Sequence, residues 1–99
     1  MAVNLIWSLV AQEDLKGVID YIRHENPVAA ENISRAIVER TELLASFPEM
    51  GRIVPERADP QIRELVYQNY RIIYRLRPTG HILEIIRIWH GARGEPEVD

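Results

Sequence analysis

Apolar residues along this chain follow two rhythms, helical in the first half and strand-like in the second. Val3 to Trp7 (Val-Asn-Leu-Ile-Trp) has the β-branched and aromatic character of a short strand, and Ser8 offers an N-cap for a helix just after it. Ala11, Leu15, Val18, Ile19 and Ile22 then recur at helical spacing, with Glu13, Asp14, Lys16, Asp20 and Arg23 on the other side. His24-Glu25-Asn26-Pro27 ends that helix and starts a second. Asn26 can cap it, and Pro27 suits a first turn whose backbone N–H has no helical partner in any case. Ala30, Ile33, Ile37 and Leu44, flanked by Ala36, Leu43 and Phe47, give the second helix a wide apolar face up to Pro48. The spacing predicts an antiparallel helix hairpin.

Between Pro48 and Pro60 the chain carries three prolines, Gly51 and mixed charges without periodicity, which reads as a surface loop. Ile62–Tyr67, Tyr70–Arg77 and Ile82–Trp89 are rich in Ile, Val, Tyr and Leu and are joined by Gln68-Asn69 and Pro78-Thr79-Gly80. They predict a three-stranded antiparallel meander. The expected fold is α+β. It is one domain over residues 1–99, with an N-terminal strand and the helix hairpin packed on the meander, and with 94–99 as a frayed tail.

A two-residue hairpin at Gln68-Asn69 and a three-residue turn at 78–80 would set Tyr67 opposite Tyr70 and Arg77 opposite His81. Strict alternation then gives one face Leu65, Tyr67, Tyr70, Ile72, Tyr74, Leu76, Ile82, Ile86 and Ile88, assigned to the helices. The other face carries Glu64, Arg71, Arg75, Arg77 and Arg87 among Ile62, Val66, Ile73, Leu83, Ile85 and Trp89. Apolar groups beside arginines on an open face suggest a surface kept for a partner. One residue more or less in the second turn would flip the last strand.

Composition narrows the function classes. At 99 residues with 46% hydrophobic and 27% charged, the chain has the make-up of a small soluble domain. It has no cysteine, so disulfides, thiol nucleophiles and thiolate metal sites are excluded. No apolar run is long enough for a membrane span, no secretory signal is recognisable, and a cytoplasmic location is expected. A net charge of −3 argues against a broad grip on nucleic acid. Eight of the twelve basic residues are nevertheless arginines between Arg52 and Arg93, which leaves room for a local basic site. There is no Gly-rich phosphate loop, and the three histidines are too scattered to suggest a metal site. No cofactor is expected.

The order strand, helix, helix, loop, meander comes with four local signals: Asp14-Leu15, Phe47-Pro48-Glu49-Met50-Gly51-Arg52, Tyr70-Arg71-Ile72-Ile73-Tyr74, and Ile88-Trp89-His90-Gly91-Ala92-Arg93. Together they resemble the RelE/ParE superfamily of type II toxins over essentially the whole chain. That resemblance implies a growth-inhibiting toxin neutralised by a cognate antitoxin in a hetero-oligomer. Its target is DNA gyrase if the chain is ParE-like. If it is RelE-like, the target is mRNA in the ribosome, cut by metal-independent attack of a 2′-hydroxyl on its own phosphate. A relative that has lost toxicity and only binds its antitoxin is a third reading.

In the ribonuclease branch, the resemblance makes Arg71 the contact to the phosphate under attack, a role that a forked, permanently charged guanidinium suits. The plainer alternative is an ion pair with Glu64 on the sheet surface. His90 matches a histidine that some relatives use as acid or base, with a strand-end hydrogen bond as its alternative. Arg93 resembles a further C-terminal arginine of that branch. His24 and His81 read as a helix end and plain surface. Two departures weaken the nuclease reading: Glu64 stands where relatives often carry a lysine, and no tyrosine follows His90 or closes the chain. The expected antitoxin or target surface comprises Glu64, Arg75, Arg87, Trp89, Ile73, Leu83 and Ile85.

Overall fold

In the computed structural model, which describes residues 3–77 and 81–91, the two predicted caps open the two helices. The Ser8 hydroxyl accepts the Ala11 N–H at 3.0 Å at the start of α1 (Leu9–Arg23), and the Asn26 side chain accepts the Ala29 N–H at 3.0 Å before α2 (Pro27–Ser46). Each cap satisfies a backbone donor that the helix itself leaves without a partner. A three-residue connection turns the chain back, and the helices pack against each other. Phe47 leaves helical geometry at φ −130°, and Pro48 stops any continuation.

Among the described residues five strands form one mixed sheet: β1 (Asn4–Trp7), β2 (Arg52–Ile53), β3 (Ile62–Tyr67), β4 (Tyr70–Arg77) and β5 (Ile82–His90), in the order β1-β5-β4-β3-β2. The meander is β3-β4-β5, and Tyr67 pairs with Tyr70 as the first hairpin predicts. Two strands are added to it. β1 lies parallel to β5, with Asn4 opposite Ile82 and Trp7 opposite Ile85, and β2 pairs antiparallel with β3 inside the segment expected to be loop. The helices cover one side, where Ala11, Ile37, Leu44, Ile72, Tyr74, Leu83, Ile85 and Ile88 make the main core.

The expected register of the last strand is corrected. Arg77 pairs with Ile82 rather than His81, because His81 itself belongs to the turn, in the left-handed region at φ 51°. Leu83 and Ile85 therefore face the helices, and both are fully buried. A bulge then restores the original phase: Tyr74 pairs with Ile85 but Ile73 with Arg87, so Ile86 is the extra residue. Beyond it Ile88 faces the helices as expected. Trp89 and Ile73 occupy the far face, but they are not open there. With Val54, Ile62 and Ile86 they form a second buried cluster.

β1 reaches only as far as Ile85, and α1 closes the rest of the β5 edge. The Ser8 hydroxyl donates to the Ile86 carbonyl at 3.2 Å, and the Asp14 carboxylate accepts the Ile88 N–H at 3.0 Å. Asp14 also takes two hydrogen bonds from Arg87, at 2.8 and 3.0 Å. The turn at 78–80, Arg93 and the tail 94–99 lie outside the described residues.

Candidate functional site

The segment after α2 is fixed to the sheet by the Tyr74 phenol, by the Arg63 Nη1 hydrogen bond to the Gly51 carbonyl at 2.9 Å and by the pairing of β2 with β3. The Tyr74 hydroxyl donates to the Pro48 carbonyl at 2.8 Å and accepts the Gly51 N–H at 2.9 Å. Gly51 has to be glycine, since a Cβ there would lie 2.5 Å from that hydroxyl and 2.6 Å from the Glu64 carbonyl oxygen. Burial raises the Tyr74 pKa, and the phenol stays protonated as donor. This anchoring puts Arg52 of β2 opposite Glu64 of β3 and sends the loop after β2 back past β4.

The result is a chain of alternating charges on the far face of the sheet. The Glu64 side chain is wholly buried; it accepts from Arg52 Nε at 2.7 Å through one oxygen and from Arg71 Nε through the other. The remaining two nitrogens of Arg71 form a fork on Glu56, at 2.8 and 3.1 Å to its two oxygens. The bidentate contact with Arg71, first, holds the Glu56 carboxyl down at about 2, while the same carboxylate, ahead of Glu64, pushes the Arg71 pKa up. Arg71 is thus fixed by two acids, one beneath it and one in front.

His90, at the end of β5, pairs with Tyr70 across the ladder and stands edge-on to its ring, 5.2 Å between centroids at 85°. Burial, and then the nearby Tyr21, raise the Tyr70 pKa. Arg71 and His90 border one cleft of about 510 Å³ with Arg52, Glu56, Val66 and Gly91. Two of the three candidates expected from the sequence, Arg71 and His90, therefore lie together.

The apolar part of the expected surface is buried, and Glu64 with it. Ile73, Leu83 and Ile85 are fully buried, Trp89 is 2% exposed and Glu64 1%. The premise of an open apolar strip fails twice over: the register turns Leu83 and Ile85 inward, and Val54 packs with Ile73 and Trp89. Arg87 is held by Asp14 and stacks at 4.8 Å on Trp89, while Arg75 and Arg77 lie near Glu84, at 3.8 and 3.2 Å. Exposed apolar groups lie elsewhere. Leu43, Phe47 and Met50 line a groove of about 1160 Å³ with Leu76, Arg63 and Arg77.

Sequence reasoning missed Glu56 and Arg52 as members of the site. Nothing in the aperiodic loop marks Glu56; only the path of the chain brings it to Arg71. Among the described residues no group of His, Asp or Glu is disposed to hold a metal ion, and no helix is long and apolar enough to cross a membrane.

Residues 5–94 match the family described as the ParE toxin of the type II toxin-antitoxin system parDE. The chain is 33% identical over 90 residues to toxin RelE2 of Caulobacter vibrioides, covering 91% of this chain and 97% of that protein. Among the solved structures that share the fold are two toxin–antitoxin systems. One is the chromosomal ParDE system of P. aeruginosa, with a TM-score of 0.75 and 24% identity over 90% of this chain and 96% of the other. The second is the toxin–antitoxin complex RelBE2 of Mycobacterium tuberculosis, with a TM-score of 0.66 and 22% identity over 91% of this chain and 99% of the other.

Proposed function

Since this chain belongs to the RelE/ParE family of type II toxins, we propose that it arrests growth as a ParE-like inhibitor of DNA gyrase and is neutralised by a cognate antitoxin protein. The observation that carries this reading is the neutralised cleft. Arg52 and Arg71 meet Glu56 and Glu64, two cations against two anions, and both contacts of Arg71 are taken by carboxylates. A nuclease needs uncompensated positive charge where the transition-state phosphate gathers negative charge. A docking protein does not.

Solved relatives described as toxin–antitoxin systems support an antitoxin partner. The groove lined by Leu43, Phe47 and Met50 supports it further, since Phe47 is 59% exposed and a partner's apolar side chains would cover it. A RelE-like ribonuclease is the second reading, favoured by the meeting of Arg71 and His90 at one cleft.

Pulse-labelling of DNA and protein synthesis just after induction without antitoxin separates the two. DNA synthesis falling first, with an SOS response, is the expected result. If protein synthesis falls first and Arg71→Ala and His90→Ala both abolish toxicity, the chain is a ribonuclease and the gyrase reading is wrong.

A further inference from the structure

We propose that Glu56 determines what the Arg71 cleft accepts: its carboxylate occupies the position of a phosphodiester, and removing that one charge turns the cleft into a binding site for single-stranded nucleic acid. This deepens the non-nuclease reading above and rests on it.

The geometry is that of an arginine prepared for an oxyanion. Glu64, its side chain wholly buried, takes the Nε of Arg71 and so fixes the plane of the guanidinium. The two terminal nitrogens are left pointing out of the sheet as a fork, and two oxygens of one anion meet them at 2.8 and 3.1 Å. Two parallel N–H···O contacts of this length suit a phosphate as well as a carboxylate. The anion found there belongs to the protein's own loop.

Glu56 is also placed to be dispensable for the fold. Its side chain is 31% exposed, against none for Glu64, and it is absent from both buried clusters. Glu64 holds the guanidinium from below whether or not Glu56 is present. Without Glu56 the local sum of Arg52, Arg71 and Glu64 becomes positive by one charge, in a cleft that Val66 and Asn69 also line. An RNA or DNA phosphate entering the wild-type cleft meets Glu56 instead, and like charges repel at that distance.

The test is a fluorescence-anisotropy titration of the purified full chain, without antitoxin, with a short fluorescein-labelled single-stranded oligoribonucleotide. Glu56→Gln keeps the side-chain volume and removes the charge. It is expected to bind at least about tenfold more tightly than wild type, the gain of one well-oriented charge-assisted contact. Its log-affinity should fall more steeply with log salt by about 0.7, the slope of one added phosphate contact on a single strand. The gain should vanish in Glu56→Gln/Arg71→Ala. Equal binding by wild type and Glu56→Gln overturns the proposal, and so does a gain that survives Arg71→Ala. Glu56→Ala removes the same charge by a different route and is read by the same criteria, with circular dichroism confirming the fold. Failure of this test leaves the labelling experiment on the wild-type chain untouched, so the two readings fall separately.

Discussion

Replacing Tyr74 by phenylalanine removes one oxygen and two hydrogen bonds. The Gly51 N–H is buried and points at that oxygen from 2.9 Å, so in Tyr74→Phe it loses its partner. Leaving a buried donor unsatisfied costs about 1–3 kcal/mol. The Pro48 carbonyl is only half-buried and can turn to solvent, which adds about 0.5–1 kcal/mol for the lost bond. The expected loss is therefore about 1.5–4 kcal/mol, a large part of the roughly 5–15 kcal/mol that holds a small domain together. With a urea slope of about 1 kcal/mol/M, the unfolding midpoint should fall by about 1.5–4 M. Hydrogen exchange adds a local readout. The Gly51 amide should be protected in wild type and exchange fast in the variant, while amides of β5 exchange faster only through the global loss of stability. A midpoint within about 0.5 M of wild type, with Gly51 still protected, would show that the phenol does not hold the loop, and the account of how Arg52 and Glu56 reach the site would fail with it.

Two other outcomes rest on contacts of single side chains. Asp14→Asn keeps an acceptor for the Ile88 N–H but removes the charge facing Arg87; with both side chains largely buried, thermal unfolding should show a loss of about 2 kcal/mol, and a change under about 0.5 would mean that Arg87 holds the edge without it. The Glu56 carboxyl has a folded pKa of about 2 against an ordinary 4.5, so its contribution is fully present above pH 4.5 and is lost as the pH falls toward 2. Because the pair is partly open to water the contribution is at most about 1 kcal/mol, and the stability difference between wild type and Glu56→Gln should shrink across that window; a constant difference would refute the assignment.

Local signals were legible in the sequence and distant ones were not. Ser8 and Asn26 announce the helices because a cap acts within three residues, and the 3.6-residue rhythm of Ala11, Leu15 and Ile22 needs nothing beyond its own helix. The β5 register resists reading because it turns on two backbone events. His81 takes a positive φ without being glycine, and Ile86 bulges without any side-chain signature. Alternation did put Ile73 and Trp89 on the far face, but whether that face is open depends on Val54, from a segment with no pattern at all. The pairing of Arg71 with Glu64, raised as the plain alternative, is found, although the carboxylate is buried rather than on a surface. Arg71 and His90 were legible as candidates through family likeness. Glu56 was not, because fifteen residues of chain separate it from Arg71.

β5 is the strand on which the rest of the sheet depends, and it comes late. It is flanked by β4 on one side and by β1, the strand that precedes both helices, on the other. During synthesis the helix hairpin can form early, but its apolar face has no finished sheet to cover until Leu83, Ile85 and Ile88 have left the ribosome. A chain cut short before Ile82 lacks the strand that joins β1 to β4 and, with it, Leu83, Ile85 and Ile88 of its own core. The order of the strands leaves the core incomplete until β5 is in place.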